Sequence, residues 1–229
     1  MRLIVRVMLA AFASCLTVSP AICATPFEQQ VLATLNEIRQ DPGLGARMLR
    51  QYRRFFHAKL VSVPGAVTLV TQEGVAPVNE AIAFLDRQAQ RAPLRSADLL
   101  TDGAADHVAE QASDGSIGHA GRDGSAPGDR VRRHGGDIYV AEVITYGPRS
   151  AADVVQALVV DDGVPDRGHR SVIFDPRLRF AGVSCGPHPA FGTMCVVDLA
   201  ETPDGRAPGA ARSIQMADIS SLRYARTRN

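Results

Sequence analysis

Two of the histidines directly follow a glycine, in Gly118-His119-Ala120-Gly121 and in Arg167-Gly168-His169-Arg170. A glycine neighbour leaves an imidazole sterically accessible. Between them in sequence stand Glu142, inside the apolar run Val140-Ala141-Glu142-Val143-Ile144, and Asp161, just after Val159-Val160. A carboxylate in the middle of a buried strand is costly unless paired, and a histidine is an available partner. Two imidazoles and two carboxylates from separate elements can hold zinc or a similar ion, form a proton-transfer set, or make a structural hydrogen-bond network. Spacing alone leaves all three open, because there is no HExxH helix. Ser125 and Ser171 lie near these groups in sequence, but neither sits in a nucleophile-elbow pattern. His107 reads as a packing or surface residue of a helix, and His134 and His188 read as solvated loop residues.

Those side chains need elements to position them. Thr25-Pro26-Phe27-Glu28 has the form of a helix start, and Phe27, Val31, Leu35 and Ile38 then recur on one helical face. A second helical pattern runs from Leu44 through Met48, Leu49, Tyr52 and Phe55. Residues 59–75 are rich in Val, Thr and Gly and read as a small hairpin or a long loop. Pro77 opens another helix, Ser96 caps the next, and Ser150 caps one that carries Val154, Val155, Leu158 and Val159 and ends at Asp161. Residues 113–137 are glycine-rich and read as loop. Strands are expected late, over 139–145, 180–185 and 194–199. A few antiparallel strands cannot bury both faces alone, so helices should cover both sides. The expected fold is α+β: a three-layer α-β-α sandwich with a small antiparallel sheet.

The chain has 229 residues, of which 45% are hydrophobic and 21% charged, which suits one globular domain and excludes a wholly disordered chain. A net charge of +1, scattered arginines, 5% aromatics and no Trp argue against a nucleic-acid partner. Arg2 and Arg6 precede an apolar stretch from Val7 to Leu16, with plausible cleavage after Ala21 or Ala24. Residues 1–24 therefore read as a secretory signal peptide, and the destination as secreted or periplasmic. No other run is apolar and long enough to span a bilayer, so the mature chain is expected to have no transmembrane segment. Cleavage leaves Cys185 and Cys195, and an even pair in an exported chain reads as one disulfide. It would staple a hairpin and contribute roughly 2–3 kcal/mol for so short a loop. From Glu201 onward the composition turns to Pro, Gly, Ala and Arg, so 201–229 reads as a polar C-terminal tail.

Taken in order, Gly118-His119, Ala141-Glu142-Val143-Ile144 and Arg167-Gly168-His169-Arg170 resemble the CAP or SCP superfamily, which contains cysteine-rich secretory proteins, insect venom antigen 5 and plant pathogenesis-related proteins. The segments GHAGRDGSAPGDR, AEVITYG, DDGVPDRGHRSVIF and AGVSCG, with Leu35-Asn36-Glu37-Ile38-Arg39 earlier, are similar to its bacterial secreted branch. The resemblance implies a CAP/SCP-like domain over 25–200, with about 55–95 a branch-specific insertion. It implies an α-β-α sandwich and a cleft holding two His and two acids. By motif these are His119, Glu142, Asp161 and His169, expected as metal ligands for zinc or another divalent cation. Leu158 stands where the family usually has Trp, and Asp161 where Glu is commoner. The function expected first is an exported, non-enzymatic module that binds a divalent cation and a small-molecule or lipid ligand, or an extracellular protein partner. The alternative is a metal-dependent hydrolase, peptidase- or esterase-like, with Glu142 as base in the same cleft.

Overall fold

The computed structural model describes residues 24–208; the expected signal peptide and most of the expected tail lie outside them. Seven helices and seven strands are described: α1 Pro26–Gln40, α2 Pro42–Tyr52, β1 Phe56–His57, β2 Leu60–Val61, β3 Leu69–Val70, α3 Ala76–Leu85, β4 Arg95–Ser96, α4 Asp98–Asp114, α5 Pro127–Arg133, β5 Ala141–Tyr146, α6 Ala151–Val160, α7 Gly168–Ile173, β6 Phe180–His188 and β7 Gly192–Ala200. The main sheet has the order β4-β6-β7-β5. β6 and β7 form an antiparallel hairpin, β5 pairs antiparallel to β7, and β4 pairs parallel to β6. The short parallel strand was not expected from sequence, since two residues carry no periodic signal.

Helices cover both faces of this sheet. On one face α1, α2, α3 and α6 bury Val31, Leu35, Leu49, Val78, Ile82, Val155 and Leu158 against Val143, Val183, Val197 and Leu199 of the strands. On the other, Ala104 and Val108 of α4 pack on Ile144, Met194 and Val196. The alternation of strand side chains thus feeds two separate cores, and the sandwich is the α+β, α-β-α arrangement expected. Leu158 is a fully buried part of the larger core.

Local signals explain the framework. Thr25 and Glu28 form a capping box on α1, and Glu28 also accepts the Cys185 backbone N–H at 2.8 Å, which ties the helix start to β6. The fully buried Arg39 donates to the carbonyls of Ile173, Ala92 and Leu178, joining α1 to the end of α7. Gly182 lets α4 lie directly on β6: a Cβ there would stand 2.0 Å from the Thr101 nitrogen. Cys185 and Cys195 face each other across the β6–β7 ladder and are joined by a disulfide.

Three local readings are corrected. Ser96 does not cap α4; it ends β4, and Ala97 is the N-cap. The glycine-rich stretch 113–137 is not all loop, because Pro127 opens α5. His188 is buried rather than solvated, bonded to the Ser116 carbonyl and packed between Tyr146 and Phe191. Residues 56–70 form a three-stranded antiparallel meander, β1-β2-β3, separate from the main sheet, while α3 packs into the large core.

Candidate functional site

The site forms beside β5, an edge strand of the main sheet. Glu142 on β5 points toward the α4/α5 layer, on the same side as Ile144. Its carboxylate accepts from His119 Nδ1 at 2.9 Å and from Arg130 Nη2 at 2.6 Å. The Glu142 and Arg130 side chains are each 1% exposed, whereas that of His119 is 51% exposed. One member of the first pair is therefore sealed in protein and the other faces solvent.

His119 is aimed by its loop. The Gly118 carbonyl accepts from Gln111 Nε2 at 2.7 Å, and the His107 imidazole Nε2 lies 2.8 Å from the same oxygen. The Tyr146 hydroxyl accepts the Gly118 N–H and donates to Gln111 Oε1, both at 2.9 Å. Arg130 Nη1 donates to the His119 carbonyl at 3.1 Å. His107 is thus a buried support of the site, which its place on an amphipathic helix did not reveal.

The second pair comes from the opposite layer. Asp161 is the C-cap of α6, in the left-handed region at φ 61°. Asp is one of the few non-glycine residues that tolerate this conformation. From there its carboxylate accepts His169 Nδ1 at 2.7 Å and the His169 backbone N–H at 3.0 Å. The short aspartate side chain reaches because the chain turns back immediately after the helix. Arg170 holds that turn: it donates to the Val159 carbonyl at 2.6 Å and the Val160 carbonyl at 2.8 Å, two carbonyls left unpaired at the end of α6. Arg167, also at positive φ, donates to the Asp161 and Val164 carbonyls and pairs with Glu73 and Glu80.

All four sequence-predicted residues therefore meet as two His–carboxylate pairs, with the imidazole centroids 6.1 Å apart and the rings inclined at 61°. A carboxylate at Nδ1 fixes the tautomer and leaves Nε2 with its lone pair outward. Among the described residues neither Nε2 has a protein partner. Both oxygens of each carboxylate are already engaged. Accordingly, no cluster of three or more His, Cys, Asp or Glu side chains among the described residues is spaced to hold a metal ion.

Two further residues belong to the site. Arg130 was present in the sequence segment but carried no spacing signal that marked it. Asp198, directly opposite Glu142 on β7, is fully buried, and neither carboxyl oxygen has a hydrogen-bond donor. Burial first, and then the Glu142 charge, hold its carboxyl well above the usual carboxylate range. A carboxyl that keeps its proton is itself a donor, and Glu142 is the acceptor beside it. Only the alternation of Val196, Asp198 and Ala200 on one strand face could have flagged it.

Residues 32–199 match the model of the CAP family, described as the cysteine-rich secretory protein family. The chain belongs to this family. No curated protein matches the chain. Among solved structures this CAP protein is similar to an outer surface protein from Borrelia burgdorferi, at 18% identity and TM-score 0.39 over 46% of this chain and 75% of that one. It is similar to an extracellular protein containing an SCP domain from Bacillus anthracis str. Ames, at 15% identity and TM-score 0.41 over 55% and 38%. A cysteine-rich secretory protein from Staphylococcus aureus subsp. aureus Mu50 is matched at 11% identity and TM-score 0.39 over 77% and 40%. The CAP chain thus spans well under half the length of the last two.

Proposed function

We propose that this CAP protein is an exported binding module whose paired imidazoles capture a divalent cation. The observation that carries the reading is the double commitment of Nδ1 to carboxylate, at 2.9 Å for His119 and 2.7 Å for His169. A backing carboxylate makes an imidazole a better electron-pair donor toward a cation at Nε2. The residues fit such an ion through His119 and His169 as donors, with Glu142 and Asp161 orienting them and contributing negative charge. The remaining coordination positions would belong to water or to a bound ligand, which suits capture and release better than a closed structural site. Export is supported by the amino-terminal sequence, and no helix among the described residues is long and apolar enough to cross a membrane.

Calorimetric zinc titration of the protein and of the His119→Ala/His169→Ala variant tests this. Micromolar binding with one ion per chain, lost in the variant, is the expected result. Equal heats in both proteins would overturn it. A hydrolytic reading of the same cleft would need its base at an imidazole Nε2, because Glu142 is buried and occupied at both oxygens.

A further inference from the structure

The meander formed by β1, β2 and β3 shows an unusual surface. Of the large hydrophobic side chains exposed among the described residues, Leu60, Val67, Leu69 and Val70 all fall within this one short segment, with Val67 82% and Val70 79% exposed. Residues 63–67, Val-Pro-Gly-Ala-Val, form the uncharged tip of its β2–β3 connection. Across the strands, His57, Leu60 and Val70 are paired in one row and all three are exposed. The facing row buries Val61 between Phe56 and Leu69. The segment thus spends one face on its own fold and leaves the other bare.

A charge asymmetry accompanies the bare face. From Pro42 to Gln72 the sequence holds Arg47, Arg50, Arg53, Arg54 and Lys59 and not one Asp or Glu. Arg47 and Arg50 are paired, with Asp41 and Asp86. Arg53, Arg54 and Lys59 are exposed and have no carboxylate partner among the described residues. The foot of the meander is fixed to the body. Asp162 accepts the backbone N–H groups of Gln72 at 2.7 Å and Glu73 at 2.9 Å, and Glu73 accepts from Gly163 and Arg167, each at 2.7 Å. An apolar tip, a cationic base and a rigid foot beside the loop of Asp161 make one composite surface.

We propose that this meander docks the protein on an anionic phospholipid bilayer, with Leu60, Val67 and Val70 entering the interfacial region and Arg53, Arg54 and Lys59 meeting the headgroups. Exposed apolar clusters of this kind gain by leaving water. Cations close to an anionic leaflet add roughly a fivefold gain each, an attraction that salt screens. A second copy of the chain is the poorer occupant, because a symmetric contact would bring the same unpaired cations face to face. Docking in this way would hold the His–carboxylate cleft next to the lipid surface. The inference does not depend on cation binding by that cleft.

The test is cosedimentation of the protein recovered from cells expressing the full chain with two kinds of vesicle. One is phosphatidylcholine alone; the other contains roughly a third phosphatidylglycerol. The protein is expected to pellet with the anionic vesicles at low salt and to be released as salt rises. Two variants, Leu60→Ser/Val67→Ser/Val70→Ser and Arg53→Ala/Arg54→Ala/Lys59→Ala, should weaken binding at least about tenfold and about a hundredfold. Every substituted side chain is exposed, so both variants should melt as the parent does. Failure to pellet with anionic vesicles, or unchanged binding by both variants, would overturn the proposal. Sedimentation velocity covers the competing occupant: a dimer dissolved by the apolar triple variant would assign the face to self-association and overturn it as well.

Discussion

The most exacting residue in the site is Asp198, which no spacing rule pointed to. It lies opposite Glu142 in the ladder, sealed from water and held well above the usual carboxylate range by burial and by the Glu142 charge. The folded chain then keeps a proton that the unfolded chain releases near pH 4. The folded state binds more protons over that window, so stability falls as pH rises from the ordinary carboxylate range toward the raised value. Asp198→Asn replaces the neutral acid with a neutral amide of the same shape and lacks this slope. Melting curves should show the variant gaining on the parent steadily as pH rises above about 4; a gap independent of pH would mean that Asp198 is ionised in the fold. Arg130 is the counterpart. Removing it by Arg130→Ala leaves Glu142 buried beside a second acid without its cation, at a cost of roughly 3–5 kcal/mol. Urea unfolding at neutral pH measures this, and a loss under about 1 kcal/mol would mean that water reaches the pair. His119, Glu142, Asp161 and His169 were legible because glycine-flanked histidines and an acid in an apolar strand are local anomalies. Arg130 and Asp198 were not, since one looks like any surface arginine and the other lies near the end of an expected strand, its neighbours unknown until the register is set.

At the scale of elements, the helices with long apolar periods were readable and the short pieces were not. α1 and α6 carry capping side chains, α3 opens on Pro77, and all three repeat apolar positions. β4 has two residues and α7 has six, too few for any period to show. Yet α7 carries His169 and Arg170, so the least legible helix positions half the site. α4 lies directly on β6, and Gly182 is the condition of that contact. Gly182→Ala would drive a methyl group into the Leu100–Thr101 backbone. α4 would have to lift, and with it His107 and Gln111 beneath the His119 loop. A loss of about 1–3 kcal/mol in denaturant unfolding is expected, together with weaker zinc binding; an unchanged midpoint would show that the helix has room to move. The meander foot responds to charge instead. Hydrogen bonds from Arg167 and the Gly163 N–H hold the Glu73 carboxyl down to about 2. Because the folded value is depressed, the clasp persists from neutral pH downward and is lost only as pH approaches about 2. Glu73→Gln should therefore speed amide hydrogen exchange at Gly163 and along the meander at neutral pH, while the main sheet stays protected.

Over the whole molecule, the site exists because two helical layers share one sheet. His119, Arg130 and their supports belong to the α4/α5 side, whereas Asp161, His169 and Arg170 hang from α6 and α7 on the other. The sandwich was foreseeable from the shortage of strands, but the meeting of the two layers at the β5 edge was not, because it depends on strand order. The β6–β7 hairpin sets the spacing. Near its disulfide, His188 bonds to the Ser116 carbonyl and packs with Tyr146 and Phe191, and Tyr146 in turn bonds to Gly118. A cross-link between β6 and β7 therefore reaches the His119 loop through the hairpin tip. Replacing both cysteines by serine should lower stability by about 2–3 kcal/mol, or roughly 5–10 °C in melting temperature for a domain of this size. If the tip acts through His188, zinc affinity should fall as well, while the variant His188→Ala should weaken zinc binding with the disulfide intact. Full zinc affinity in both would mean that α4 alone positions His119, and that the hairpin contributes only to stability.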